Sequence, residues 1–226
     1  MHFPCRQPGT DRLDRLVDAH PARHGKVVFA RQRRIRPQIA KDLSDHVESI
    51  DHFSRAIDAK ADFEFAYRDL VAALLQSEQL QKAREVLIQA VNNCPKSAEF
   101  QFQLGNVFSG EGDYDNALAC YQKGLSIQPD SADLHKGLGD TLAKRAQFGQ
   151  AVNSYRKALW FAPQFVNAHL ALGAVLRSQG QLDEAIACYR EATTLEPENA
   201  STHQSLGNAL LERGETKNAI ACYERV

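Results

Sequence analysis

The stretch AHLALGAVLRSQGQLDEAIACYREATTLEP (Ala168–Pro197) restates DLHKGLGDTLAKRAQFGQAVNSYRKALWFAP (Asp133–Pro163) at an offset of 34 residues. Leu-Gly, then Ala, Tyr, Ala and Pro return in the same order. Working outward, Leu104-Gly105, Leu138-Gly139, Leu172-Gly173 and Leu206-Gly207 keep the step, and so do Pro95, Pro129, Pro163 and Pro197. A fixed period of this length decides the fold before any single residue's chemistry is weighed.

Inside one period the apolar residues follow helical spacing twice. In the period that opens at Val166, Leu170, Leu172, Val175 and Leu176 form one stripe, and Ala185, Ile186, Tyr189 and Ala192 form the second. Gly180-Gln181-Leu182-Asp183 separates the two, as Gly112-Asp113 and Gly214-Glu215 do in their periods. Proline then ends the second helix, having no N–H and disfavouring a helical residue before it. Each period is therefore a helix pair. Small residues are expected to let its helices cross closely, Gly173 against Ala185 and Ala192, Gly139 against Ala151 and Ala158, and Gly105 against Ala117 and Gly124. Tyr121, Tyr155, Tyr189 and Tyr223 fill one equivalent place, held by Leu87 a period earlier. One pair alone cannot bury its apolar faces, but a stack can.

These residues resemble the tetratricopeptide repeat, W-x2-L-G-x2-Y, then A-x3-F, then P, at the same period. The resemblance covers 98–131, 132–165, 166–199 and 200–226, the last truncated, and extends to 64–97 through Tyr67, Leu70, Ala83, Leu87, Ala90 and Pro95. His135, His169 and His203 stand where the family often carries tryptophan, and Val71 stands where it carries glycine. The resemblance implies an all-α fold, a right-handed α-solenoid of tandem helix-turn-helix repeats.

Outside the repeats, residues 1–40 hold nine Lys or Arg against three Asp or Glu, a local charge of +6, and the other 186 residues carry −7. This basic arm, punctuated by Pro4, Pro8, Pro21 and Gly25, is expected to be flexible. Residues 41–63 read as a degenerate opening half-repeat. Within it Ser49, Phe53 and Ala56 keep second-helix register, and the first-helix partner would fall across Val28–Leu43, interrupted by Pro37. The array then runs through 64–226. Its last period stops at Val226 inside a second helix, which leaves Leu206, Leu210, Ile220 and Tyr223 to pack on a partner or a further domain.

Several functional classes find no support in the letters. No GxGxxG after a strand, GxxxxGK[ST], GxSxG or HExxH occurs, so no catalytic residue, cofactor or metal is expected. His135, His169 and His203 lie one repeat apart, too far for one ion, and read as packing residues, with a pH-sensitive row as the alternative. Cys120, Cys188 and Cys222 are also whole repeats apart, beyond disulfide reach, and read as reduced thiols of a cytoplasmic protein. No apolar run is long enough to span a membrane. The amino terminus lacks the hydrophobic core of a secretory signal, so Asn199-Ala200-Ser201 reads as a helix cap rather than a glycosylation acceptor. The net charge of −1 sets up no field for nucleic acid. The one route to it is the arginine cluster at 31–36, namely Arg31, Arg33, Arg34 and Arg36.

What the stacked architecture offers is a concave groove lined by first helices. The residues opposite the Leu-Gly stripe are Arg68, then Glu99, Phe102 and Asn106, then Asp133, Lys136, Asp140 and Lys144, then Asn167, Leu170 and Arg177, then Gln204, Asn208 and Glu212. Amides, both signs of charge and a few apolar groups suit a protein or peptide segment. The family's clamp for a chaperone's terminal carboxylate is not assembled, because Asp140 follows Lys136 and Phe102 precedes Asn106. The asparagine ladder of O-linked N-acetylglucosamine transferases is also missing, since Asp69, Gln103, Gly137, Ala171 and Ser205 stand at its positions. The expected function is a non-enzymatic scaffold or adaptor. The alternative is the repeat arm of a larger glycosyltransferase- or sulfotransferase-type enzyme.

Overall fold

A computed structural model of the chain describes residues 46–225. The basic arm with its arginine cluster, and the Val28–Leu43 segment, lie outside them. Among the described residues there are eleven helices and no strand. In order they are α1 (His46–Ala59), α2 (Glu64–Gln76), α3 (Leu80–Asn93), α4 (Ala98–Glu111), α5 (Tyr114–Ile127), α6 (Ala132–Lys144), α7 (Phe148–Phe161), α8 (Val166–Ser178), α9 (Leu182–Leu195), α10 (Ala200–Glu212) and α11 (Thr216–Tyr223).

Local chemistry sets where the helices begin and end. Helices α5, α7 and α9 stop two residues before Pro129, Pro163 and Pro197. Ser131 then accepts the N–H of Leu134 at 3.4 Å, and Asn199 accepts the N–H of Ser201 at 2.9 Å, so Asn199 is the cap the sequence suggested. Ser97 holds the N-cap position of α4. The turn within each helix pair needs one left-handed residue, supplied by Gly112 (φ 82°), Gly180 (φ 76°) and Gly214 (φ 88°). Glu78 (φ 57°) and Ala146 (φ 58°) adopt the same conformation despite a Cβ. In each case the next N–H reaches back to a carbonyl five residues earlier, as Gln147 does to Leu142 at 2.9 Å and Gln181 to Leu176 at 3.0 Å.

The chain divides into two compact units, 1–86 and 87–226, with the boundary inside α3. In the first unit α1 packs on α2, whose buried residues are Ala66, Tyr67, Leu70, Val71, Ala73 and Leu74. In the second unit four hairpins follow one another, α4/α5, α6/α7, α8/α9 and α10/α11, and each second helix packs on the first helix of the next hairpin. Successive first helices also touch directly, α4 with α6, α6 with α8 and α8 with α10, while no comparable contact joins successive second helices. The first helices are therefore the closer-spaced row and form the inner wall of the stack.

The core of this unit is a repeated lock of glycine and tyrosine. A Cβ on Gly105, Gly139, Gly173 or Gly207 would come within 2.6–2.7 Å of the ring of Tyr121, Tyr155, Tyr189 or Tyr223 respectively. The glycine thus faces the tyrosine rather than the alanines expected from the pattern. Those alanines, Ala117, Ala151, Ala158, Ala185 and Ala192, are fully buried elsewhere along the crossing. Gly137 of the next hairpin also lies close against the Tyr121 ring, and Gly124 makes room for Leu134. Burying the rings of Tyr121, Tyr155 and Tyr189 contributes on the order of 2 kcal/mol each, while Tyr223 stays 37% exposed. Cys120, Cys188 and Cys222 are free thiols, and burial pushes all three above their ordinary pKa, away from the reactive thiolate.

Candidate partner-binding groove

Most of the sequence-predicted groove residues are placed on the inner wall of the second unit, but they divide into two kinds. The first kind has a job inside the protein. Tyr121 donates its hydroxyl hydrogen bond to Asn106 Oδ1 at 2.7 Å, Tyr155 to Asp140 Oδ1 at 2.9 Å and Tyr223 to Asn208 Oδ1 at 2.8 Å. These acceptors are one period, or a whole number of periods, apart, and each ties the second helix of a hairpin to its first. The remaining equivalent position is Ala174, and Tyr189 is correspondingly buried with no such acceptor. Burial pushes the Tyr121 hydroxyl up to about 12, and burial with the Asp140 carboxylate beside it pushes Tyr155 higher still.

Charged members are similarly engaged. Lys136 pairs with Asp140 at 2.7 Å, one turn along α6. Lys144 donates to the carbonyl of Ser109 at 3.3 Å and to its Oγ at 3.2 Å, while Thr141 reaches the same Oγ at 3.2 Å, which stitches α6 to α4. Arg177 lies 3.7 Å from Glu212, stitching α8 to α10. Glu99 accepts from Gln103 at 3.2 Å, and Phe102 packs against Tyr121 with ring centroids 6.2 Å apart. Arg68 belongs to the first unit, where it lies 3.8 Å from Glu64 and over the ring of Phe65.

The second kind is uncommitted. Asp133, Asn167 and Gln204 are exposed on successive first helices, with no hydrogen bond or ion pair from their side chains among the described residues. Beside them the wall has half-buried apolar ground at Phe102 and Leu170, and Leu211 stands 50% exposed near the end of α10. Leu211 was not singled out from the letters, although its place one period after Arg177 would have found it.

The histidine row proves to be a structural device. Nε2 of His135 lies 3.0 Å from the carbonyl of Pro129, that of His169 2.8 Å from Pro163, and that of His203 2.7 Å from Pro197. A carbonyl only accepts, so each Nε2 carries the proton and pins the turn between hairpins to the helix that follows. His135 also stacks on Phe161 with centroids 5.6 Å apart, and its buried Nδ1 has no partner. Burial holds its pKa below the usual imidazole value, against the opposing hydrogen bond to Pro129. Among the described residues no group of His, Cys, Asp or Glu is placed to hold a metal ion, and no helix is long and apolar enough to cross a membrane.

Comparison with known proteins agrees with this architecture. The sequence profile of the TPR repeat matches residues 110–145 and 173–212, and that of the tetratricopeptide repeat matches 200–226. No curated protein sequence matches. Among solved structures, MamA from Desulfovibrio magneticus RS-1 is similar with a TM-score of 0.64 and 23% identity, covering 72% of this chain and 92% of that one. YrrB, described as a TPR protein with an unusual peptide-binding site, has a TM-score of 0.60 and 22% identity over 76% of this chain and 89% of its own. PilF of Pseudomonas aeruginosa has a TM-score of 0.66 and 21% identity over 72% of this chain and 74% of its own. At these identities the structural likeness shows the fold. With the 34-residue period, the glycine–tyrosine lock and both repeat profiles in agreement, the chain carries tetratricopeptide repeats, matched over residues 110–145 and 173–226.

Proposed function

We propose that the protein is a non-enzymatic interaction scaffold, and that the inner wall of its second unit takes a segment of a partner protein. The observation that carries this reading is the uncommitted set on the wall. Asp133, Asn167 and Gln204 recur on three successive first helices with their polar groups unspent, next to apolar ground at Phe102, Leu170 and Leu211. An extended segment needs such a ladder: amides and a carboxylate for its backbone and polar groups, with apolar patches for its side chains. That a similar fold, YrrB, is described as having a peptide-binding site supports the class of ligand. A cytoplasmic setting suits free thiols held in their protonated form.

The test is a pull-down with the wild-type chain beside an Asn167→Arg, Gln204→Arg double variant. Both positions are exposed and make no internal bond, so the fold is kept, which circular dichroism checks. Recovery of bound proteins is expected to fall at least about tenfold, the equivalent of about 1.4 kcal/mol. Equal recovery of the same proteins would show that the wall is not where partners bind.

A further inference from the structure

A second surface lies on the opposite side of the same unit. Trp160, the one tryptophan of the chain, is 81% exposed near the end of α7. Phe161 and Ile127, which ends α5 one period earlier than Phe161, are partly exposed as well. Lys123 on α5 and Lys157 on α7 hold matching places in consecutive hairpins, and both are exposed with no ion pair among the described residues. Arg190 on α9 is one residue out of step, at the place of Arg156, and its charge acts on Glu215 of the next hairpin. Lys157 lies three positions before Trp160 and therefore shares its helix face. Arg156 is close by but is paired with Glu184 at 2.9 Å, and Glu191 is the one acid at the corresponding place on α9. Lys123 and Lys157 therefore stand one period apart on the same face of successive second helices, with an indole standing clear beside Lys157.

We propose that this face docks on an anionic lipid bilayer. Each free cation near such a surface is attracted to it, and tryptophan, with an apolar body and a polar N–H, settles at the boundary between headgroups and acyl chains. An indole this exposed is a protrusion, which a deformable bilayer accommodates without a preformed pocket. A second copy presenting the same face would bring cation against cation. The proposal does not depend on the inner wall.

Because the chain has a single tryptophan, its emission reports on this face alone. The full chain is titrated with phosphatidylcholine vesicles and with vesicles containing phosphatidylserine, following emission and co-sedimentation together. A blue shift and co-sedimentation are expected with the anionic vesicles only, weakening as salt is added. A Lys123→Glu, Lys157→Glu variant is expected to lose at least about 25-fold in partition, roughly fivefold for each cation removed. Co-sedimentation without an emission shift would assign binding to the basic residues 1–40 and overturn the proposal. Unchanged partition of the double variant would also overturn it. A shift with polyglutamate but not with vesicles would make the face a protein-docking surface and exclude the bilayer.

Discussion

At the scale of the residue, the informative positions are those where one period departs from the others. Ala146 sits at φ 58° where Gly112, Gly180 and Gly214 occupy the same turn. A Cβ in this region costs about 1 kcal/mol or more, so Ala146→Gly is expected to stabilise the protein by about 1 kcal/mol, read as a higher urea midpoint. His135 departs in another way, being enclosed with a bare Nδ1. Its folded-state pKa lies below the unfolded value near 6.5, so the unfolded chain takes up the proton first. Stability is therefore whole above about pH 6.5 and is lost as pH falls from there through the lower folded-state pKa. A His135→Gln variant should show a smaller drop in urea midpoint between pH 7.5 and pH 5.5 than the wild type. An equal drop would place the acid sensitivity elsewhere. The period alone sufficed to find both places. The left-handed strain at Ala146 was not readable, because alanine carries no mark of backbone conformation, and the proline carbonyl that His135 meets lies six residues away across a turn.

At the scale of the element, each hairpin is held by a tyrosine pressed on a glycine and, in three of four hairpins, bonded to an Asn or Asp one residue further along the first helix. Gly139→Ala would drive a Cβ to 2.7 Å from the Tyr155 ring, which is buried and tethered to Asp140. The expected cost is about 1–3 kcal/mol. Gly149→Ala on α7, where nothing lies within 4 Å, is the control and should be neutral or slightly stabilising. The exception among the hairpins offers the reverse experiment. Ala174→Asn would give Tyr189 the acceptor its counterparts have and should raise stability by about 0.5–1 kcal/mol, a gain that Tyr189→Phe in the same chain should cancel. Here the sequence was only half legible. Asn106, Asp140 and Asn208 stood out as polar groups at groove spacing, yet the same spacing places them beside the tyrosines. Periodicity reports which side of a helix a residue occupies. It does not report whether a neighbour has already claimed its lone pairs.

At the scale of the whole molecule, stacking is what turns marginal helix pairs into a folded array, and the innermost residues show its effect. Ile186 is 1% exposed because the next hairpin covers it, while Ile220, its equivalent in the last hairpin described, is 52% exposed. The cross-hairpin ion pair of Arg145 with Asp115 adds little to this, since Asp115 is largely exposed and such pairs contribute about 0–1 kcal/mol. Burial of the tyrosines and alanines does most of the work. What stacking leaves open is the inner wall, and the account rests on that wall being the contact surface. The direct measurement is site-specific photo-crosslinking to a partner recovered with the wild-type chain, with the photoreactive residue placed at 167 or 204 on the wall, or at 150 on the outer helix α7. Crosslinks from 167 and 204 but not from 150 are predicted. Crosslinks from 150 with none from either wall position would contradict the account.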